Sequence, residues 1–201
     1  MKKQTLFFIL ATGIFLSSCK IFSTLYPLSE NDNDFIFKKE LIGKWKGAKD
    51  TTGDCTIDTV AGSGGKLYTA GLTDLDKNNI THTQWFLCRL IKVNQWYFLD
   101  CGLDMNRSTS LKGDDYNDLL ITKHFIFSIS FLEKDRLEIS SPDSDEFIKL
   151  INQKKIKLDY TELKKDDFLI LNEPTQLKKG FSESKKYPLV YKDKTVLVRS
   201  E

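Results

Sequence analysis

Along most of the chain from residue 41 onward, apolar residues recur at every second position. In the clearest run, His124–Phe131, Phe125, Phe127, Ile129 and Phe131 fall on one face, with His124, Ser128 and Ser130 opposite. A period of two marks a half-buried strand. A turn at Glu133-Lys134-Asp135 leads to a partner strand, Arg136–Ser140. The same pattern predicts strands over Leu41–Gly47, Asp54–Ala61, Lys66–Leu72, His82–Lys92 and Trp96–Leu103. Shorter ones are expected at Phe168–Leu171, Leu189–Tyr191 and Thr195–Val198. The Gly-Ser-Gly-Gly stretch at 62–65 suits a hairpin turn.

Helix signals are few. Asp143 or Ser144 can cap a helix through Glu146, Phe147, Leu150 and Ile151, which form one apolar stripe. Asn172 with Pro174 in the first turn predicts a second helix ending at Gly180. A brief helix is expected over Asp34–Glu40. The chain therefore reads as mainly β, a strongly curved antiparallel sheet or barrel with two or three short peripheral helices.

The N-terminus reads differently. Residues 1–19 carry Lys2 and Lys3, an 11-residue apolar run from Leu6 to Leu16, then small residues before Cys19. Such a run is too short to span the roughly 30 Å hydrocarbon core, which takes about 20 residues, and reads as a secretory signal. Leu16-Ser17-Ser18-Cys19 resembles the lipobox of bacterial lipoproteins. That resemblance implies cleavage before Cys19, a diacylglycerol on its thiol and an acylated amine. Lys20, where an aspartate would resemble an inner-membrane retention signal, is compatible with the outer membrane of a diderm host. Residues 19–34, with Pro27 and a run of Ser, Asn and acids, read as a lipidated tether, leaving 35–201 as one β-rich domain.

Leu41-Ile42-Gly43-Lys44-Trp45 resembles the Gly-x-Trp opening strand of lipocalin-like β-barrels. In those the tryptophan plugs the barrel end, so the resemblance implies that place for Trp45. The match covers about a tenth of the chain, and the helix expected near 144–154 has no counterpart in a standard lipocalin.

Composition narrows function mainly by exclusion. Of 201 residues 40% are hydrophobic and 29% charged, an ordinary globular balance. Lys and Arg number 30 against 28 acids, and two of those bases fall in the signal, so the remainder balances. A neutral domain lacks the basic face that nucleic acid requires.

Candidate chemistry is sparse. Asp74, Asp76 and Asn78 begin like a calcium loop, but Asn79 stands where glycine is needed and Trp85 where glutamate is needed. Asp114, Asp115, Asn117 and Asp118 have no ligand spacing. His82 and His124 lie far apart and no zinc motif accompanies them, so no metal or cofactor is called for. His124 shares a strand face with Ser128, yet four residues of strand separate them by about 13 Å, beyond proton transfer. That face is expected to look at water or a cavity, and no catalytic residue is assigned. Trp45, Trp85 and Trp96 are candidate lining for an apolar pocket, with core filling the competing role.

Cysteines give one geometric expectation. A two-residue turn at Asn94-Gln95 pairs Val93 with Trp96, setting Cys88 opposite Cys101 and Arg89 opposite Asp100. Alternation makes 88–101 a non-hydrogen-bonded pair, with α-carbons about 4.5 Å apart, at the short end of the disulfide range. In an oxidising compartment this predicts a Cys88–Cys101 bridge with Cys55 unpaired; the alternative is three buried thiols acting as small apolar residues.

Three functions remain open. The first is a lipid-anchored envelope protein whose non-catalytic domain binds an apolar molecule or an envelope component. The second is an envelope hydrolase assembled from separate strands, and the third a structural interaction module.

Overall fold

The computed structural model describes residues 21–48, 54–75, 81–104, 106–107, 123–133 and 135–200. Eight antiparallel strands close into a barrel: β2 (Gly43–Gly47), β3 (Asp54–Thr59), β4 (Tyr68–Leu75), β5 (Thr81–Val93), β6 (Trp96–Leu103), β7 (His124–Glu133), β8 (Arg136–Ser140) and β11 (Thr195–Ser200). Each pairs with its sequence neighbour, β6 with β7 among them, and β11 returns between β8 and β2 to complete the ring. This is the closed antiparallel barrel that the alternating pattern predicts. Period-two residues supply its interior: Trp45, Ile57, Tyr68, Ala70, Phe86, Leu90, Leu99, Phe127, Ile129 and Leu137 form one buried cluster.

Between β8 and β11 the chain leaves the barrel and builds a second layer. It contains α1 (Ser144–Asn152), β9 (Tyr160–Lys164), β10 (Asp167–Ile170) and α2 (Pro174–Ser184). β1 (Ile21–Thr24) runs parallel to β10 and touches β7 at Thr24–His124. A second core fills the space against the outer wall of β5, β6 and β7, where Ile91, Phe98 and Ile126 meet Phe22, Phe147 and Phe181. The face of β7 carrying His124 and Ser128, expected to look at water or a cavity, is thereby covered; Ser128 is 4% exposed.

Local signals explain most elements. Asp143 caps α1 by accepting from the Glu146 amide at 3.0 Å, and Phe147, Ile148, Leu150 and Ile151 form its buried stripe. Pro174 opens α2, which runs past Gly180 to Ser184. Gly180 marks a close approach to Leu158, whose Cδ1 would lie 2.5 Å from an added Cβ, rather than the helix end. The turn at 62–65 joins β3 to β4, with Gly62, Gly64 and Gly65 all at positive φ.

Four expectations need correction. Residues 21–34 are not a free tether: Ile21–Thr24 is strand, and Leu28 and Ser29 are buried. The Asp34–Glu40 helix is two 3₁₀ turns, Asp32–Asp34 and Lys39–Leu41, because Phe35 between them bridges to Ile91. Leu189–Tyr191 lies in a 3₁₀ turn opened by Pro188, not a strand. β9 was not expected: Tyr-Thr-Glu-Leu-Lys is an exposed edge strand without alternation.

Candidate functional site

Trp45 is fully buried in the barrel's core cluster. Its indole N–H donates to the Leu41 carbonyl at 2.8 Å, and the Arg199 guanidinium lies 4.5 Å from its ring. Arg199 also pairs with Asp135 at 2.6 Å and donates to the Glu40 and Ile42 carbonyls, tying β11 to the chain entering β2. Gly43 makes this possible: its φ is +146°, and a Cβ there would fall 2.1 Å from an Arg199 nitrogen. A shallow groove of about 520 Å³ opens beside Trp45, lined by Lys39, Phe131, Arg136 and Arg199 among others.

The three tryptophans do not share a pocket. Trp45 lies in the barrel core, whereas Trp85 lies on the outer surface across Gly71, with Arg107 3.8 Å from its ring. Trp96 packs against the second core, 5.2 Å from the Lys185 ammonium. Odd positions of β5 and even positions of β6 point outward, so the strand pattern that placed Trp85 and Trp96 also separates them from Trp45.

The thiols fall where the hairpin arithmetic put them. Cys88 is opposite Cys101 and Arg89 opposite Asp100. Among the described residues the three cysteines, Cys55, Cys88 and Cys101, are free thiols. Burial pushes the Cys55 thiol up to about 12, and Cys88 and Asp54 nearby add to the shift. Burial also raises Cys101, reinforced by Cys88. Buried thiols held protonated are poor nucleophiles.

Arg89 lies 4.9 Å from the Phe35 ring instead of pairing with its opposite number. Asp100, 3% exposed, instead accepts from the Leu28 amide at 2.6 Å and meets His124 Nδ1 at 2.8 Å. Nearby, Lys123 pairs with Asp167 at 3.1 Å, leaving the other Asp167 oxygen buried without a partner. These pairs fasten β1 and the segment after it to the barrel wall.

One pair has the form of an activated nucleophile. Lys185 donates to the Ser128 hydroxyl, with its ammonium 4.0 Å from the Tyr191 ring. Burial lowers the Lys185 amine to about 8; Lys194 lowers it further and Glu138 opposes the shift. Ser128 was weighed against His124, but its partner comes from beyond α2, where Ser-Glu-Ser-Lys-Lys gives no sign of it. Cys19, Asp114–Asp118 and the side chains of Asp74 and His82 lie outside the described residues. Among the described residues no three His, Cys, Asp or Glu side chains gather as metal ligands. No protein-family model, curated protein or solved structure matches the chain.

Proposed function

We propose that this is a bacterial envelope lipoprotein, held on the bilayer by acyl chains at Cys19, whose non-catalytic barrel is a scaffold for binding another envelope component. In a diderm host Lys20 is compatible with passage to the outer membrane. The observation that carries the scaffold reading is the filled interior: Trp45, Tyr68, Phe86, Leu90, Leu99 and Phe127 occupy the space an apolar ligand would need. Two or three acyl chains hold a protein almost permanently, each buried CH₂ contributing about 0.8 kcal/mol. Metabolic labelling with an alkyne fatty acid tests the anchor. Label should be incorporated by the natural chain and lost, with membrane association, in Cys19→Ser. Titration with a hydrophobic fluorescent probe tests the scaffold; saturable binding that quenches the buried Trp45 would overturn it.

A second reading, an envelope hydrolase, is favoured by the Ser128–Lys185 pair alone. Unprotonated Lys185 would accept the Ser128 proton as the oxygen attacks an ester carbonyl and pass it to the departing alcohol; water would then cleave the acyl–serine bond, releasing the acid and restoring the hydroxyl. Ser128 is 4% exposed, so the layer covering it must open, with Lys185 still on its hydroxyl, to admit substrate. Fluorophosphonate labelling that disappears in Ser128→Ala would establish this reading in place of the first.

A further inference from the structure

The shortness of the chain between Cys19 and the first strand fixes more than attachment. The first described residue, Ile21, is paired with Asp167 at the start of β10. Two residues of extended chain span about 7 Å, and adjacent strands lie about 5 Å apart. Whatever conformation residues 19 and 20 adopt, the Cys19 α-carbon stays within about 12 Å of Asp167. The headgroup layer on each side of a bilayer is itself about 5–8 Å deep. A domain bound by acyl chains at this distance has no room to swing clear of the membrane.

The feature beside that point is the β9–β10 hairpin. β9 and β10 pair antiparallel through Lys164–Asp167, so their turn at Lys165-Asp166 protrudes next to the start of β1. Leu163 is 41% exposed there, and Lys164 and Lys165 are exposed beside it. An apolar side chain flanked by lysines suits a headgroup layer, where the leucine meets acyl carbons and the ammonium groups meet phosphates. Glu162 and Asp166 balance the lysine charge, so the local attraction is modest. Orientation therefore comes from the short connection.

We propose that the tip of the β9–β10 hairpin, Leu163–Asp166, rests in the headgroup layer of the membrane that holds Cys19. This inference rests on the acylation of Cys19. It gives the domain one fixed face toward the lipid: β10 runs parallel to β1 and β1 antiparallel to β7, so the tip points toward the end of the barrel where β7 finishes, while Asn106, past the Gly102–His124 pair, lies beyond the end where β7 starts.

The test uses the full lipidated chain in vesicles of phosphatidylethanolamine and phosphatidylglycerol containing a doxyl-labelled lipid. An environment-sensitive fluorophore is placed at Lys165→Cys or, as control, at the exposed Asn106→Cys beyond the end of β6. The native thiols are buried or held protonated and react slowly. Quenching at position 165 should exceed that at 106 by at least about two-fold. It should fall to the control level when a twelve-residue Gly-Ser insert separates Lys20 from Ile21. Equal quenching at both positions, with fatty acid demonstrably on Cys19, overturns the orientation alone. Absence of fatty acid on Cys19 overturns both the orientation and the anchor on which it rests.

Discussion

Asp100 is the most informative position for mutation, because one buried carboxylate holds the N-terminal segment on the barrel. Asp100→Leu keeps roughly the same shape but removes the acceptor from the Leu28 amide and the partner from His124. A hydrogen bond to a charged group contributes about 1.5–3 kcal/mol, and stranding a buried N–H costs about 1–3 kcal/mol. Leu28 has no exposure to recover that bond from water, whereas His124, 15% exposed, can turn to solvent. The expected loss for Asp100→Leu is thus about 3 kcal/mol, a large share of a typical 5–15 kcal/mol. Asp100→Asn still offers an oxygen to Leu28 and a polar group to His124, so its loss should be about 1 kcal/mol. Urea unfolding followed by tryptophan fluorescence would read these as midpoint shifts of about 1.5 M and about 0.5 M, for a slope near 2 kcal/mol/M. Hydrogen exchange should quicken most across residues 21–35. Equal shifts for the two variants, or unchanged exchange in that segment, would refute the pinning role of Asp100.

Gly180→Ala should destabilise by about 1–3 kcal/mol in thermal melts, despite the roughly 1 kcal/mol alanine gains within a helix, because its Cβ would meet Leu158; a raised melting temperature would contradict that packing. Oxidation of the folded protein with a disulfide such as oxidised glutathione should slowly join Cys88 to Cys101 and leave Cys55 free; three free thiols, or a bridge including Cys55, would sink that pairing. Lys185 titrates near 8 in the fold and near its ordinary 10.5 when unfolded, so its buried charge penalises folding below about pH 8. That penalty is relieved as pH rises from about 8 to 10.5, since the unfolded state then binds more protons. Lys185→Met should remove this rise in stability, and an identical pH profile in the two proteins would count against the lowered amine.

The barrel was legible because its interior obeys a strict period of two. Phe125, Phe127, Ile129 and Phe131 all face inward, and the Asn94-Gln95 turn alone set the Cys88–Cys101 register. The second layer was less so. β1 is short, parallel and buried on both faces, and its sequence leads directly into Pro27 and a polar run, so it read as tether. Wherever this layer covers the barrel wall, the outward face stops being a solvent face. Alternation along one strand could not reveal that Ser128 would lie beneath Lys185, or that Asp100 would turn from Arg89 to Leu28 and His124. Such partners are fixed by the N-terminal segment crossing the barrel wall and by the chain between β8 and β11 folding back over it, a property of topology with no local motif.

Intact mass measurement of the mature protein extracted from membranes tests the central claim most directly. The account predicts a chain beginning at Cys19 whose mass exceeds that of the polypeptide by a diacylglycerol and one amide-linked acyl group. An unmodified chain, or one beginning at any other residue, would contradict it.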